Sequence, residues 1–160
     1  MLYLLDADTL ITGERDAYPF SAFRPLWEWL VEQGEAGRVK IPHEQHDEIV
    51  AGRGGLVEWL RVEAVKRALV LQEDVDVTLL DRVVRDGYGG LDETGLEAVG
   101  RDPFLVAYAL AAAGERTVVT FEVSKPSRRG ARRKLPDVCT DLGVPSCRLF
   151  DMVRALGFAM

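Results

Sequence analysis

Leu2-Tyr3-Leu4-Leu5-Asp6-Ala7-Asp8 begins with four apolar residues in succession and then places two acids within three positions. A short unbroken apolar run is the pattern of a strand buried on both faces, as in a parallel sheet covered by helices. An acid directly behind such a strand stands out. In open parallel sheets, ligands bind in the crevice outside the carboxyl ends of the strands, which is where Asp6 and Asp8 would lie.

Working outward, residues 39–41 predict a second strand broken by Pro42, residues 117–120 a third and residues 147–150 a fourth. Helical patterns fill the intervals. Residues 25–31 read as a helix stopped by Gly34 and Gly37, and another runs from about 44 to 50. A third follows the glycines at 52–55, with Leu56, Trp59, Leu60, Ala64 and Ala68 on one face. Residues 75–86 repeat the pattern weakly, and the glycine-rich stretch 87–100 reads as a loop. Asp102-Pro103 opens the most apolar helix, 104–113, and a short helix over 151–156 follows the last strand. Strands alternating with helices predict an α/β fold, a three-layer α/β/α sandwich around a central, mainly parallel sheet. With neither an internal repeat nor a linker, the 160 residues form one domain, 1–160.

Hydrophobic residues at 48% and charged residues at 29% are globular values and exclude a disordered tail or a collagenous repeat. The two cysteines cannot close a zinc site and fit a reducing cytoplasm. No basic leader precedes Leu2, so the mature chain is expected to start here. The longest apolar stretch, 103–113, falls short of the roughly 20 residues a membrane span needs. The formal charge of −6 argues, as an average, against a nucleic-acid partner. The average hides a division. Lys125, Arg128, Arg129, Arg132, Arg133 and Lys134 put six cations and no acid into ten residues, leaving 14 basic against 26 acidic side chains elsewhere. Such a run is commonly a solvated, mobile loop; beside a phosphate-processing site it is suited to holding a nucleic-acid backbone.

The placement of the acids gives that site. Asp6 and Asp8 follow the first strand, Glu48 lies one turn into the helix after the second, Asp102 opens the apolar helix, and Glu122 sits two residues past the third strand. Carboxylates gathered at one edge repel and raise one another's pKa unless cations neutralise them, and Mg²⁺ or Mn²⁺ with their preference for oxygen ligands are the natural remedy. Each acid also has a plainer reading. Asp102 is a suitable helix N-cap, Glu44 and Glu48 are one turn apart and equally suited to a solvated face, and Glu122 reads as a loop acid. Thr120 is either a strand-end residue or a hydroxyl that orients a carboxylate. His43 and His46 are three positions apart, not the four of zinc protease helices, and read as a partly exposed helix start. Nucleophile-elbow and phosphate-loop motifs are absent.

Taken in order, Leu4-Leu5-Asp6-Ala7-Asp8-Thr9-Leu10-Ile11, Ile41-Pro42 leading to Asp47-Glu48-Ile49, Asp102-Pro103-Phe104-Leu105-Val106-Ala107 and Val118-Val119-Thr120-Phe121-Glu122 resemble the four acidic motifs of PIN-domain nucleases. Leu135-Pro136-Asp137-Val138-Cys139 and the segment from Leu149 to Phe158 are similar to the tail of a small, prokaryotic PIN-like subfamily. The resemblance implies a metal-dependent endoribonuclease, with Asp6, Glu48, Asp102 and Glu122 as catalytic metal ligands for Mg²⁺ or Mn²⁺. It implies hydrolysis of RNA to 5′-phosphate ends, a role as the toxin of a type II toxin–antitoxin pair, and an antitoxin or a second copy as partner. Two positions depart from the family pattern: Asp8 stands where Asn or Ser is common, and Glu122 replaces the commoner Asp. Asp8 and Asp137 are accordingly candidate extra ligands. The rival reading is a catalytically inactive PIN-like module that binds nucleic acid or protein.

Overall fold

The computed structural model describes residues 1–159. Five strands among them form one sheet in which every pairing is parallel: β1 (Leu2–Leu5), β2 (Val39–Pro42), β3 (Val70–Leu71), β4 (Arg116–Val119) and β5 (Ser146–Cys147), in the order β3-β2-β1-β4-β5. The chain leaves β1 toward one side, builds β2 and β3, then crosses back to build β4 and β5 on the other side. The strand order therefore reverses between β1 and β4. Connections leaving these two neighbours diverge to opposite faces, which opens a crevice at their carboxyl ends.

Side-chain alternation along the central strands sends Leu4 and Val118 to one face and Leu5 and Val119 to the other. Each face carries its own core, as the three-layer expectation requires. Against Leu5 pack α1 (Ala7–Thr12), α2 (Phe20–Glu35), α4 (Gly55–Arg61) and α5 (Glu63–Leu69), with α3 (His43–Val50) contributing Ile49. Against Leu4 pack α6 (Val77–Arg82), α7 (Glu93–Val99), α8 (Asp102–Leu110) and α9 (Leu135–Asp141). The last helix, α10 (Leu149–Ala155), returns to the Leu5 face through Leu149 and Met152. None of the described helices is long and apolar enough to cross a membrane.

Several boundaries differ from the sequence expectation for local reasons. The helix expected over 25–31 extends from Phe20 to Glu35, absorbing Pro25 through a non-helical Phe23. Gly34 does not stop it. A Cβ at Gly34 would lie 2.6 Å from the carbonyl oxygen of Ala68, so this glycine is a close-approach point between α2 and α5. The single helix expected after the 52–55 glycines is broken at Val62, which is extended. The 87–100 stretch is not all loop: Asp92 accepts from the Gly95 amide at 2.7 Å and starts α7. Leu149 and Phe150 open α10 and do not extend a strand, because Asp151 folds back to accept from the Arg148 amide at 3.3 Å. The two-residue β3 had no sequence expectation.

Gly34→Ala tests the α2–α5 contact. Alanine has the better helix propensity by about 1 kcal/mol, but the clash is with backbone that cannot rotate away. A net loss of about 1–3 kcal/mol and a melting temperature lower by roughly 3–10 °C are expected in a thermal melt. An unchanged or raised melting temperature would show that the two helices separate freely.

A carboxylate site at the strand-order reversal

Asp6 is the first residue beyond β1 and is 3% exposed. Its amide donates to the Val119 carbonyl at 3.0 Å, extending the β1–β4 ladder, and its Oδ2 accepts from the Thr120 hydroxyl at 3.1 Å. Thr120 thus orients a carboxylate, and the same hydroxyl accepts from the Glu122 amide at 3.1 Å, shaping the turn after β4. Thr9 ties the edge from below: its hydroxyl accepts from the Phe121 amide at 3.1 Å.

Asp102 arrives from across the crevice. Gly100, with φ +54°, ends α7 and turns the chain, and Asp102 then occupies the first position of α8. Arg101, not Asp102, is the N-cap residue, and no side chain caps this helix. The capping explanation of Asp102 therefore fails. α3 sets the position of this turn: Gln45 Nε2 donates to the Arg101 carbonyl at 2.7 Å, while Arg101 Nη1 donates to the Glu44 carbonyl at 2.7 Å.

Burial pushes the Asp6 carboxyl up to about 7, against the Thr120 bond that lowers it, and the charges of Glu122, Asp8 and Glu48 raise it further. Asp102 is pushed up to about 8, chiefly by burial, then by Asp6, Glu122, Glu48 and Asp8. Glu48 is raised by desolvation, partly offset by Arg101, and feels Asp8. Five acids from four segments thus share one electrostatic environment, as the sequence expectation places them. Their closeness has a limit. Among the described residues, no three His, Cys, Asp or Glu side chains are grouped tightly enough to hold one ion together.

The remaining predicted residues divide. Asp8, exposed on α1, accepts from Thr12 at 3.1 Å. Glu122 commits Oε2 to the Leu135 amide at 2.8 Å, satisfying a backbone donor at the start of α9. Asp137 lies outside the cluster. It accepts from the Ser124 hydroxyl at 2.5 Å and the Lys125 amide at 2.8 Å, and the Ser124 bond holds its carboxyl below the usual range. Its role is to anchor the basic arm. That arm is not a free loop: it contains a 3₁₀ turn at Gly130–Arg132, and Arg133 is pinned to Asp141 at 2.7 Å and to the Gly87 carbonyl at 2.5 Å. Arg129 Nη1 donates to the Pro126 carbonyl at 2.9 Å. Lys125, Arg128, Arg129 and Arg132 are exposed; Lys134 and Arg133 are partly covered.

Sequence reasoning missed four residues around this edge. Tyr88, 2% exposed, is raised above the ordinary phenol value by burial and by Asp102, Glu122 and Asp6, so it presents a protonated hydroxyl near the acids. Its position in a glycine-rich stretch hid it. Arg101 and Gln45 form the clamp described above. Glu44, read as interchangeable with Glu48, is buried and accepts from the Tyr108 hydroxyl at 2.8 Å, whereas Glu48 is exposed. His46 is likewise buried, with Nε2 3.2 Å from the Leu60 carbonyl, and only His43 is exposed.

The donor chemistry fits a hard divalent cation. Asp6 and Asp102 are all-oxygen donors without a basic partner, and Mg²⁺ in particular binds through one or two carboxylates while keeping several waters. That mode does not require three converging side chains. A family model described as a domain of unknown function, DUF4411, matches residues 3–160. Comparison with curated proteins and with solved structures gave no match. The chain, matched over nearly its whole length, belongs to the DUF4411 family.

Proposed function

We propose that the protein is a metal-dependent ribonuclease of PIN type, cleaving single-stranded RNA at the carboxylate site. The observation that carries this reading is a buried Asp6 and a partly buried Asp102 that feels its charge, with Glu48, Asp8 and Glu122 in charge range, at the point where the strand order reverses. Burying uncompensated carboxylates costs stability, and a fold serving no cation there would be better off with neutral side chains. Mg²⁺ or Mn²⁺, when bound, supplies Lewis-acid polarisation of the phosphate and an acidified water. Asp6 and Asp102 would hold it, with Glu48 and Glu122 adding negative charge at the same edge. Thr120 fixes the Asp6 carboxylate, the Gln45–Arg101 clamp fixes the entry to Asp102, and the exposed cations of the arm bind the RNA backbone.

The test is incubation of a single-stranded RNA with Mg²⁺, Mn²⁺ or a chelator, with fragments and their end groups analysed. Fragments bearing 5′-phosphate in the metal lanes alone are expected; intact RNA in every lane would sink the reading. A toxin role adds that expression without a partner arrests growth and that an Asp102→Asn chain does not.

The noncatalytic rival draws on one observation, the lack of a three-ligand group among the described residues. It requires RNA binding that ignores metal and survives Asp6→Asn. Both readings give the arm a phosphate contact, and the structure refines which cations to neutralise. Converting Arg128, Arg129 and Arg132 to Ala should flatten the dependence of log affinity on log salt by about 2, at roughly 0.7 per single-strand phosphate contact. Arg133→Ala, by contrast, should lower thermal stability and leave the slope alone, because its guanidinium is engaged by Asp141 and Gly87. Equal slopes for the triple variant and the wild type would remove the arm from the RNA interface.

A further inference from the structure

The carboxylate site continues into a cleft of about 370 Å³ between the ends of β4 and β5, and Thr120 and Glu122 line both. Val123, Pro136 and Cys147 contribute to its mostly apolar wall, with Ser146 and Arg148 among them. We infer that this cleft seats the base of the nucleotide adjoining the phosphate held at Asp6 and Asp102. The inference deepens the ribonuclease reading and takes its occupant from it.

Three features support a nucleobase. Small-molecule sites are commonly about 300–1,000 Å³, largely apolar and marked by a few polar groups, which suits a flat ring with hydrogen-bonding edges. The wall residue Thr120 has its hydroxyl 3.1 Å from Asp6 Oδ2, so a base in the cleft keeps its attached phosphate on the carboxylate side. Arg148 offers an exposed planar cation for stacking, and the chain runs from wall residues Val123 and Ser124 straight into the basic arm. A base can enter only if it is unstacked. This selects single-stranded RNA over a duplex, whose bases are paired and inaccessible.

Cys147 reports occupancy without any cleavage step. It is partly exposed in the cleft, while Cys139 is fully buried and serves as an internal control for folding. Burial pushes the Cys147 thiol up to about 11, so iodoacetamide labelling is run at about pH 9, where the thiolate fraction is measurable. The protein in saturating Mg²⁺ is labelled with and without adenosine monophosphate, uridine monophosphate or ribose phosphate, and followed by mass spectrometry. Saturable slowing by the nucleotides, little by ribose phosphate, and a loss of nucleotide affinity of about tenfold in Arg148→Ala are expected. No slowing by either nucleotide, or equal slowing by ribose phosphate, overturns the inference. Protection in a chain that cleaves no RNA retains the cleft and discards the ribonuclease; cleavage without protection does the reverse.

Discussion

Asp6→Asn and Asp102→Asn are each expected to cut metal-dependent RNA cleavage by about 1,000-fold or more, since metal stabilisation of the transition state is worth several kcal/mol and each 1.36 kcal/mol is tenfold. The same substitutions should raise the melting temperature of the metal-free protein. Both carboxyls are held well above their ordinary value by burial and by neighbouring acids, so removing the charge relieves desolvation and repulsion together. Asn at position 6 retains an oxygen able to accept from Thr120, which spares the local geometry. Activity lost while stability is gained separates a metal site from a structural one. Activity and stability falling together would mean that the two acids support the fold, and would sink this assignment.

The second large effect is the pH dependence of stability without metal. Unfolded aspartate titrates near 3.9, whereas Asp6 is pushed to about 7 and Asp102 to about 8. An acid with a raised folded-state pKa binds more protons folded than unfolded, so stability falls as pH rises through that window. The decline should begin near pH 4 and level off near pH 8, amounting to several kcal/mol in total. Because the charge of Asp6 is among the causes of the Asp102 shift, the two contributions are less than additive. Asp137 acts in the opposite sense, but its lowered value confines its effect to acid below the same window. Urea unfolding at pH 5, 6, 7 and 8 measures the slope, and saturating Mn²⁺ should flatten it by binding the deprotonated pair. A slope of the same size in the Asp6→Asn/Asp102→Asn double variant would assign the effect to other groups.

The sequence made the central strands legible because their carboxyl halves, Leu4-Leu5 and Val118-Val119, are buried on both faces of the sheet and must be apolar. It made Asp6 legible for the same reason, since an acid ending an apolar run has few local explanations. Elements at the margins were harder to read. β3 and β5 pair through only two residues each, too few to carry a period. α7 was hidden by its flanking glycines, although Leu96 and Val99 keep helical spacing. At the site, Glu44 and Glu48 were indistinguishable until tertiary contacts placed Tyr108 over one and left the other facing Arg101 and Asp8. Asp137 and Arg133 looked functional by composition, yet they bind the arm to the domain. Their partners, Ser124 and Lys125 for one and Gly87 and Asp141 for the other, become visible only in three dimensions.

The central claim is that the buried acids exist to hold a divalent cation, and calorimetric titration with Mn²⁺ at about pH 7 in two buffers of different ionisation enthalpy tests it most directly. Asp6 and Asp102 are partly protonated there, so cation binding must displace protons. The prediction is saturable binding whose heat depends on the buffer, reporting proton release, and which disappears in the Asp6→Asn/Asp102→Asn double variant. Absence of binding to the wild type, or equal binding to the variant with no proton release, would contradict the account.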